Sequence, residues 1–218
     1  MIKLIIYDLD GTLIDSRLDI ANAVNWTLQE LGVGPLPIER ISSFVGNGVQ
    51  NLIRRSLQEI KAEPLPSLER PIKLFRRRYG EHLLEHTRLY PAVRKVLEFY
   101  KDRKQAVITN KPEEFSLQIL RELGVDSYFF KVIGGDKGFP RKPAPEPVHE
   151  ILRLAAVSQD QAVFVGDSAT DVETGRNAGV KTIAVTYGFG QREEIAKAEP
   201  DLILNDLEEL IQCHLLKI

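Results

Sequence analysis

Cysteine is almost absent from this sequence, since Cys213 is the one cysteine among 218 residues. It cannot form an intramolecular disulfide, so the fold depends on packing and hydrogen bonds, as in proteins of a reducing compartment. Long apolar runs are also missing, because none approaches the roughly 20 residues that cross a bilayer, and no secretory-signal pattern opens the chain. We therefore expect a cytoplasmic protein with no membrane partner.

An excess of charge of either sign is lacking too. The 29 Lys and Arg residues nearly balance 31 Asp and Glu residues, giving a formal net charge of -2. Nucleic-acid-binding proteins usually carry a strongly basic surface, so we expect no nucleic-acid partner. This length and a hydrophobic share of 43% suit one large or two small globular domains. A monomer or a homodimer is expected, and the sequence leaves open which of them forms.

Short apolar runs alternate with amphipathic segments along most of the chain. Runs typical of buried strands lie at residues 3–7, 105–108, 131–133, 162–165, 182–185 and 201–204. Amphipathic helices are predicted between them, for example at 91–100 and at 113–123, where Leu117, Leu120 and Leu123 share one face. This alternation predicts an α/β fold, a doubly wound, Rossmann-like parallel sheet with helices on both faces. Ligands bind such sheets at the carboxyl ends of the strands.

The first two predicted strands are separated by far more chain than a crossover helix needs. Three apolar stripes at helical spacing fill this interval, and they are Ile20, Val24, Leu28 and Leu31; Val49, Leu52, Ile53 and Leu57; and Leu68, Ile72, Phe75, Tyr79 and Leu83. We expect a small α-helical cap domain at residues 15–88, inserted into a core domain of residues 1–14 and 89–218. Because it follows the first strand directly, the cap is expected to act as a lid. A second structural domain without a gating role is the alternative.

Two carboxylates stand at the end of the first predicted strand. Asp8 and Asp10 follow the apolar run of residues 3–7, and Gly11 permits a sharp turn after them. Side chains alternate along a strand, so both acids are expected on the same side. Two such acids can bind a hard cation such as Mg²⁺, which prefers oxygen ligands and keeps waters that a phosphate can replace. An acidic turn without a metal is the alternative, because Asp and Gly are ordinary turn residues.

Other polar residues are predicted at the same ends of the neighbouring strands. Thr109 and Asn110 follow the second predicted strand, where a hydroxyl beside backbone N–H groups suits a phosphate. Lys142 lies in a proline-rich run and can neutralise a phosphoryl oxygen, although an isolated lysine is more often a surface residue. Asp167 and Asp171 follow the fourth predicted strand, where each alone would be interpreted as a helix cap.

These positions form four short motifs, and in chain order they are Asp8-Leu9-Asp10-Gly11-Thr12, Thr109-Asn110, Lys142 and Gly166-Asp167-Ser168-Ala169-Thr170-Asp171. Together they resemble the haloacid dehalogenase-like hydrolase superfamily, and within it the phosphatase branch. Longer stretches are similar to the bacterial phosphoglycolate phosphatase-like branch, among them Val45-Gly46-Asn47-Gly48, Leu89-Tyr90-Pro91, Thr109-Asn110-Lys111-Pro112 and Thr186-Tyr187-Gly188. The resemblance extends over the whole chain. It departs at Tyr7, where that group often has Phe, and at Ala92, where it often has Gly.

The resemblance implies an enzyme, a phosphoric monoester hydrolase that uses Mg²⁺ and an aspartyl-phosphate intermediate. Asp8 is then the nucleophile, and Asp10 protonates the leaving alkoxide and later activates the hydrolytic water. The implied metal ligands are Asp8, the main-chain carbonyl of Asp10, and Asp167. Asp171 is expected to position a lysine or a metal-bound water without touching the metal itself.

The resemblance also implies a substrate site. Thr109 and Lys142 would bind the transferring phosphoryl group, with Asn110 beside them. The implied substrate is a small phosphorylated metabolite, and 2-phosphoglycolate, hydrolysed to glycolate and phosphate, is favoured. Hydrolysis of a sugar phosphate, pyrophosphate or nucleotide, a hexose-phosphate mutase, and a non-catalytic phosphate-binding module remain alternatives. A dehalogenase is disfavoured, because that branch lacks the second aspartate of the first motif, here Asp10.

Substrate choice is expected to depend on residues of the cap. Gly46 and Asn47 would form a loop whose backbone approaches a small substrate closely, with Asn47 donating hydrogen bonds. Arg55 would face a substrate carboxylate, because a guanidinium binds one through two donors. A plain helix-to-helix turn and a solvated arginine are the alternatives at these positions.

Three further patterns receive structural interpretations. Residues 82–86 match the H-x-x-E-H pattern of one zinc protease class, but a short match arises easily by chance, so we interpret them as the surface of a cap helix. The arginine run at 76–78 is interpreted as a solvated face of that helix. Gly188 and Gly190 lack the third glycine of a dinucleotide site and predict an ordinary loop.

Overall fold

A computed structural model of the protein describes residues 1–61 and 67–216. The chain divides into two compact units, Met1–Asp15 with Leu89–Ile218, and Ser16–Arg88. The predicted core and cap ranges also contain residues 62–66 and 217–218, which lie outside the described residues.

The strands, in chain order, are β1 (Leu4–Tyr7), β2 (Ile14–Asp15), β3 (Arg88–Leu89), β4 (Lys104–Ile108), β5 (Lys131–Ile133), β6 (Ala162–Gly166), β7 (Lys181–Val185) and β8 (Leu202–Leu204). Six of them form a parallel sheet in the order β5-β4-β1-β6-β7-β8. Each of the six predicted strands is therefore confirmed, with bounds that differ by at most one residue. The doubly wound α/β fold class is confirmed as well.

The α-helices are α1 (Arg17–Glu30), α2 (Ile38–Ser42), α3 (Val49–Glu59), α4 (Glu69–Glu81), α5 (Val93–Phe99), α6 (Glu113–Glu122), α7 (Glu146–Ala155), α8 (Ala169–Asn177) and α9 (Arg192–Lys197). Short 3₁₀ helices cover Asp126–Tyr128, Gln159–Gln161, Leu207–Gln212 and His214–Leu216. Within the described residues, no helix is both long and apolar enough to cross a membrane.

The core of the first unit packs both faces of the sheet. Every residue of β1 is buried, which explains why its sequence is an unbroken apolar run rather than an alternating one. On one face, Leu4 and Ile6 of β1 join a cluster that includes Val148 and Ile151 of α7. Burial of large aliphatic side chains contributes roughly 1.5–3 kcal/mol each, so this cluster fixes β1 as the centre of the unit.

Helix α6 buries a different face from the one that its sequence predicts. Leu117 is 38% exposed, whereas Phe115, Ile119 and Leu120 are buried. The prediction of Leu117 as a core residue is therefore wrong. Apolar residues occur all round this helix, so the periodicity alone fits more than one face, and packing selects Phe115 and Ile119.

The second unit is helical, as its three apolar stripes predict. Ile20, Val24 and Leu28 of α1 are buried, and so are Leu52, Ile53 and Leu57 of α3. Two rings of α4, Phe75 and Tyr79, stack with centroids 5.4 Å apart. The five-residue helix α2 was not predicted, because only Ile41 of its residues is buried and five residues show no clear period.

The arginine run of α4 is not simply solvated. The guanidinium groups of Arg77 and Arg78 lie 5.4 and 5.7 Å from the centroid of the Trp26 ring, within the range of cation–π attraction. Helix α4 ends at Glu81, so residues 82–86 are not a helix surface, and that interpretation is wrong. There His82 contacts Glu85 through its Nδ1, at 2.5 Å from Oε1.

A buried carboxylate links the first and the last segments of the second unit. Asp19, in the first turn of α1, is 2% exposed. It accepts hydrogen bonds from the main-chain N–H groups of His86 and Thr87, at 3.0 and 2.8 Å, and from the Thr87 hydroxyl at 2.7 Å. The chain entering the unit is thereby tied to the chain about to leave it.

Candidate active site

Strand register brings the predicted motifs to one edge of the sheet. Tyr7 of β1 lies opposite Val107 of β4 on one side and Val165 of β6 on the other. The residues that follow these three strands therefore emerge together at their carboxyl ends. The chain proceeds outward from β1 through β4 and β5, then returns to start again at β6, so β1 and β6 flank the switch point where α/β sheets bind ligands.

The chain turns sharply just after Asp8. The N–H groups of Thr12 and Leu13 both donate to the carbonyl of Leu9, and Gly11 has φ of +87°. That backbone conformation disfavours any residue with a Cβ, and a Cβ at Gly11 would also clash with the carboxylate of Asp167. The glycine is therefore required by the conformation of the turn and by the space that the site leaves.

Lys142 joins two of the predicted acids. Its ammonium lies 2.7 Å from Asp8 Oδ1 and 2.6 Å from Asp171 Oδ1, and all three side chains are at least nine-tenths buried. The Asp8 contact lies outside hydrogen-bond geometry, so Asp8 Oδ1 has an ion-pair partner but accepts no aligned hydrogen bond. Lys142 is thus a buried member of the site and not the surface lysine that its proline-rich surroundings also allowed.

Asp171 contacts both Ser168, at the start of helix α8, and Lys142. Ser168 caps α8, and Asp171 Oδ2 accepts hydrogen bonds from the Ser168 N–H at 3.0 Å and from its hydroxyl at 2.6 Å. Its other oxygen takes the Lys142 ammonium. A capping box therefore holds the carboxylate that holds the lysine.

The side chain of Asn110 forms hydrogen bonds with the main chain of Lys142. Its Oδ1 accepts the Lys142 N–H at 3.0 Å, and its amide donates to the Lys142 carbonyl at 3.2 Å. These two bonds fix the segment that carries the lysine. Thr109, which precedes Asn110, is 4% exposed and its hydroxyl oxygen accepts the Lys111 N–H at 3.2 Å.

Asp167 is held by a glycine loop whose role the sequence did not reveal. Its Oδ2 accepts the N–H groups of Phe189 and Gly190, at 2.6 and 3.3 Å, and its Oδ1 accepts the Thr12 hydroxyl at 3.1 Å. A Cβ at Gly188 would clash with the Asp167 side chain, and one at Gly190 would clash with the Asp167 carbonyl oxygen. The loop interpreted as ordinary is therefore a close-fitting support for Asp167.

Burial, reinforced by neighbouring negative charge, raises the pKa values of two acids. Burial raises the pKa of Asp8 to about 7, with Asp171 and Asp10 adding to the effect and Lys142 opposing it. Burial, together with the charges of Asp171 and Asp8, raises the pKa of Asp167 to about 8. Burial alone would lower the pKa of Lys142, but the two aspartates outweigh it and raise that pKa.

The same concentration of negative charge makes these residues suitable for a hard divalent cation. One carboxylate oxygen from each of Asp8, Asp167 and Asp171 lies within 4.8 Å of the other two, and all three residues are buried. The Lys142 ammonium faces this cluster of carboxylates, and Asp8 Oδ1 accepts no aligned hydrogen bond. Oxygen ligands with unneutralised charge are the donor set that Mg²⁺ prefers, so the described residues fit such an ion.

Lys111 is a site residue to which the sequence assigned no role. Its side chain is 4% exposed, and its ammonium lies 2.9 and 3.2 Å from the two carboxylate oxygens of Asp10. A lysine is rarely buried unless it is paired, so the burial of Lys111 would have indicated that it has a charged partner. A single sequence does not show which lysines are buried.

The predicted cap residues lie in the second unit. Gly46 is exposed with φ of +110°, a conformation typical of glycine, in the segment between α2 and α3. The Asn47 carbonyl accepts a hydrogen bond from Asn51, and the Arg55 guanidinium lies 4.5 Å from the centroid of the Phe44 ring. Their assignment to substrate binding stays a prediction.

The chain is similar in sequence to known proteins over nearly its whole length. The sequence model of the family described as haloacid dehalogenase-like hydrolase matches residues 5–185. A phosphoglycolate phosphatase of Pseudomonas syringae pv. tomato is 38% identical over 214 residues, covering 96% of this chain and 78% of the relative. Another, from Chromobacterium violaceum, is 37% identical and covers 96% of this chain and 95% of its own.

Solved structures show the same architecture. A crystal structure of a predicted phosphoglycolate phosphatase from Haemophilus somnus superimposes with a TM-score of 0.90. It is 33% identical in sequence, and the match covers 97% of both chains. The similarity therefore includes both units and is not confined to the parallel sheet.

Proposed function

The chain belongs to the haloacid dehalogenase-like hydrolase family, and we propose that it is a Mg²⁺-dependent phosphatase that hydrolyses 2-phosphoglycolate to glycolate and phosphate. The observation that carries this proposal is the buried chain of ion pairs from Asp8 through Lys142 to Asp171, at the switch point of the sheet. An arrangement so costly to bury is typical of an active site. Relatives named phosphoglycolate phosphatase support the substrate.

Asp8 is the nucleophile of the proposed reaction. A carboxylate oxygen of Asp8 bonds to phosphorus as the bond from phosphorus to the leaving oxygen breaks, which gives an aspartyl phosphate. Asp10 gives its proton to that leaving oxygen, which therefore departs as the neutral hydroxyl group of glycolate. Lys142 and the Thr109 hydroxyl bind the equatorial phosphoryl oxygens, where negative charge is spread.

Hydrolysis of the intermediate regenerates the enzyme. Asp10, now a carboxylate, accepts a proton from a water whose oxygen attacks phosphorus. The bond between phosphorus and the Asp8 oxygen breaks, inorganic phosphate leaves, and Asp8 is again ionised. Lys111, which contacts both oxygens of Asp10, fixes the orientation of this acid through both steps.

Asp8 and Asp167, with the main-chain carbonyl of Asp10, are the groups proposed to hold the Mg²⁺. Bound there, the ion would neutralise the phosphoryl charge that otherwise repels the Asp8 carboxylate. The glycine loop at 188–190 orients Asp167, and the capping box orients Asp171, so each acid is fixed by main-chain or hydroxyl donors. The helical unit, with Gly46, Asn47 and Arg55, is proposed to select the leaving group.

Phosphate release from a panel of esters tests the proposal. We expect 2-phosphoglycolate to be hydrolysed with the highest kcat/KM, ahead of sugar phosphates, pyrophosphate and nucleotides, and EDTA to abolish turnover. The Asp8→Asn variant is expected to lose activity by roughly 10⁴-fold or more, because an amide cannot form the acyl phosphate. The exposed Asp126→Asn serves as the matched control and should retain wild-type rates.

The possible results separate the parts of the proposal. Faster turnover of a sugar phosphate than of 2-phosphoglycolate would contradict the substrate and leave the chemistry intact. Substantial turnover by Asp8→Asn would contradict the nucleophile. Conversion of a hexose monophosphate to its positional isomer, without release of inorganic phosphate, would identify a mutase instead.

A further inference from the structure

Lys111 and Lys142 divide the site between them. Lys142 contacts Asp8 and Asp171, whereas Lys111 contacts both oxygens of Asp10, at 2.9 and 3.2 Å. In the proposed reaction Asp8 attacks phosphorus and Asp10 protonates the leaving oxygen. Lys142 therefore belongs to the phosphoryl side of the site, and Lys111 to the leaving-group side.

The leaving-group side needs positive charge if the substrate carries a second anion there. The site contains four carboxylates, those of Asp8, Asp10, Asp167 and Asp171. In a low-dielectric environment these would repel an additional carboxylate strongly unless a cation lies close to it. The Lys111 side chain is 4% exposed and its ammonium contacts both carboxylate oxygens of Asp10, so it is placed to serve this purpose.

The chemistry of the proposed substrate matches this position. In 2-phosphoglycolate the carboxylate is bonded to the carbon that bears the leaving oxygen, so a group that contacts the acid at that oxygen also reaches the carboxylate. We infer that Lys111 binds the carboxylate of the leaving group and makes the site selective for phosphate esters of 2-hydroxy acids. This inference depends on the proposed function, because it assumes that Asp10 faces the leaving oxygen.

A pair of substrates isolates the carboxylate. 2-Phosphoglycolate and 2-hydroxyethyl phosphate share their carbon skeleton and phosphate, and differ in having a carboxylate or an uncharged hydroxymethyl group. The ratio of their kcat/KM values measures selectivity for the carboxylate. Any general damage to Asp10 cancels in this ratio, because both substrates need the same proton.

The informative variant is Lys111→Met, which keeps an apolar side chain of similar length and removes the charge. We expect it to lower the selectivity ratio by about 10- to 100-fold, as expected for losing a charge-assisted hydrogen bond. Lys111→Arg keeps the charge and should retain the ratio within about threefold. Lys197→Met, which removes an exposed lysine of α9, is the matched control and should leave the ratio unchanged.

Each result has a distinct meaning. Equal losses for both substrates in Lys111→Met, with an unchanged ratio, would overturn the inference and leave Lys111 a positioning residue for Asp10. A wild-type ratio near one would contradict the proposed substrate itself, and the inference with it. Continued hydrolysis of 2-hydroxyethyl phosphate by Lys111→Met would show that the variant is folded, so a fall in the ratio would then report the lost contact.

Discussion

The buried acids of this site lower the stability of the folded protein when no metal is bound. Asp8, Asp167 and Asp171 are each at most 6% exposed, and one carboxylate oxygen from each lies within 4.8 Å of the other two. The raised pKa values of Asp8 and Asp167 mean that their ionised forms are less favourable here than in water. Without bound metal, the ionised forms of Asp8 and Asp167 therefore lower the free energy of unfolding at neutral pH.

This lower stability predicts an unusual effect of Asp8→Asn. A carboxyl group whose folded pKa, about 7 for Asp8, exceeds its unfolded value stabilises the fold fully only below the unfolded pKa of about 4. That stabilisation is lost as the pH rises through 7. In EDTA at pH 8 we therefore expect Asp8→Asn to be more stable than the wild type, by on the order of 2 kcal/mol, with the advantage vanishing near pH 4.

Urea unfolding of both proteins across this pH range measures the difference. Asp126→Asn, at an exposed position, should follow the wild-type curve. A difference between Asp8→Asn and the wild type that does not change from pH 4 to pH 8 would show that Asp8 is not held in an unfavourable charge environment.

Which residues matter could be predicted from the sequence only where a motif marks them. Asp8, Lys142 and Asp167 were predicted to be site residues because each lies in one of the four short motifs that carry the family resemblance. Lys111 was not assigned a role, because its partner Asp10 is 101 positions away in the chain and nothing near Lys111 indicates burial. A single sequence therefore does not reveal a residue whose role depends only on contacts with residues far away in the chain.

Loops and helix ends position the site at the next scale. The loop at 188–190 follows β7, which is two strands away from β1, and still reaches Asp167 with two main-chain N–H groups. Main-chain donors do not change rotamer, so they orient a carboxylate more firmly than side chains do. Only glycine leaves room for this approach at position 190, where a Cβ would clash with the Asp167 carbonyl.

Gly190→Ala is predicted to weaken metal binding while leaving the ligands themselves in the sequence. Displacing the loop would free Asp167 to rotate, and loss of such supporting contacts typically lowers metal affinity about 10- to 100-fold. Titration with Mn²⁺ followed by EPR measures that affinity without any turnover. Gly34→Ala, where an added Cβ meets nothing within 4 Å, is the control. Equal Mn²⁺ affinity in both variants would contradict the role of the loop.

In the second unit, Asp19 is predicted to be an important stabilising residue. Asp19→Ala would leave the N–H groups of His86 and Thr87 without their buried acceptor, at a cost of about 3 kcal/mol in the free energy of unfolding. Chemical denaturation measures this, with the exposed Glu30→Ala on the same helix as control. A loss no larger than that of Glu30→Ala would show that other contacts hold residues 86 and 87.

Elements were predicted best where the sequence is apolar without interruption. The inner strands β1, β4, β6 and β7 are buried almost throughout, so they appear as short continuous apolar runs, and the bounds of all six strands were predicted within one residue. Helix faces were less certain, since α6 carries apolar residues all round and the predicted Leu117 is exposed. Helix α4 stops at Glu81 although Leu83 continues its stripe, because periodicity does not report a helix end.

At the scale of the whole molecule, the sequence predicts a parallel sheet but not the order of its strands. Placing β6 beside β1 requires knowing that the chain returns to the centre after β5, and no local pattern states this. That return creates the switch point where Asp8 and Asp167 meet. The Haemophilus somnus structure, which superimposes over 97% of both chains with a TM-score of 0.90, has the same architecture.

The central position of β1 has a consequence for synthesis on the ribosome. Leu4 at the start of β1 pairs with Lys104 and with Ala162, so the first strand to be made waits for partners encoded far downstream. At about 5–20 residues per second, translation of the second partner follows on the order of ten seconds or more after β1 emerges. Strand β4 can pair with one edge of β1 once it has emerged, but the other edge stays unpaired until β6 has left the exit tunnel, and we expect chaperones to bind the N-terminal residues during this interval.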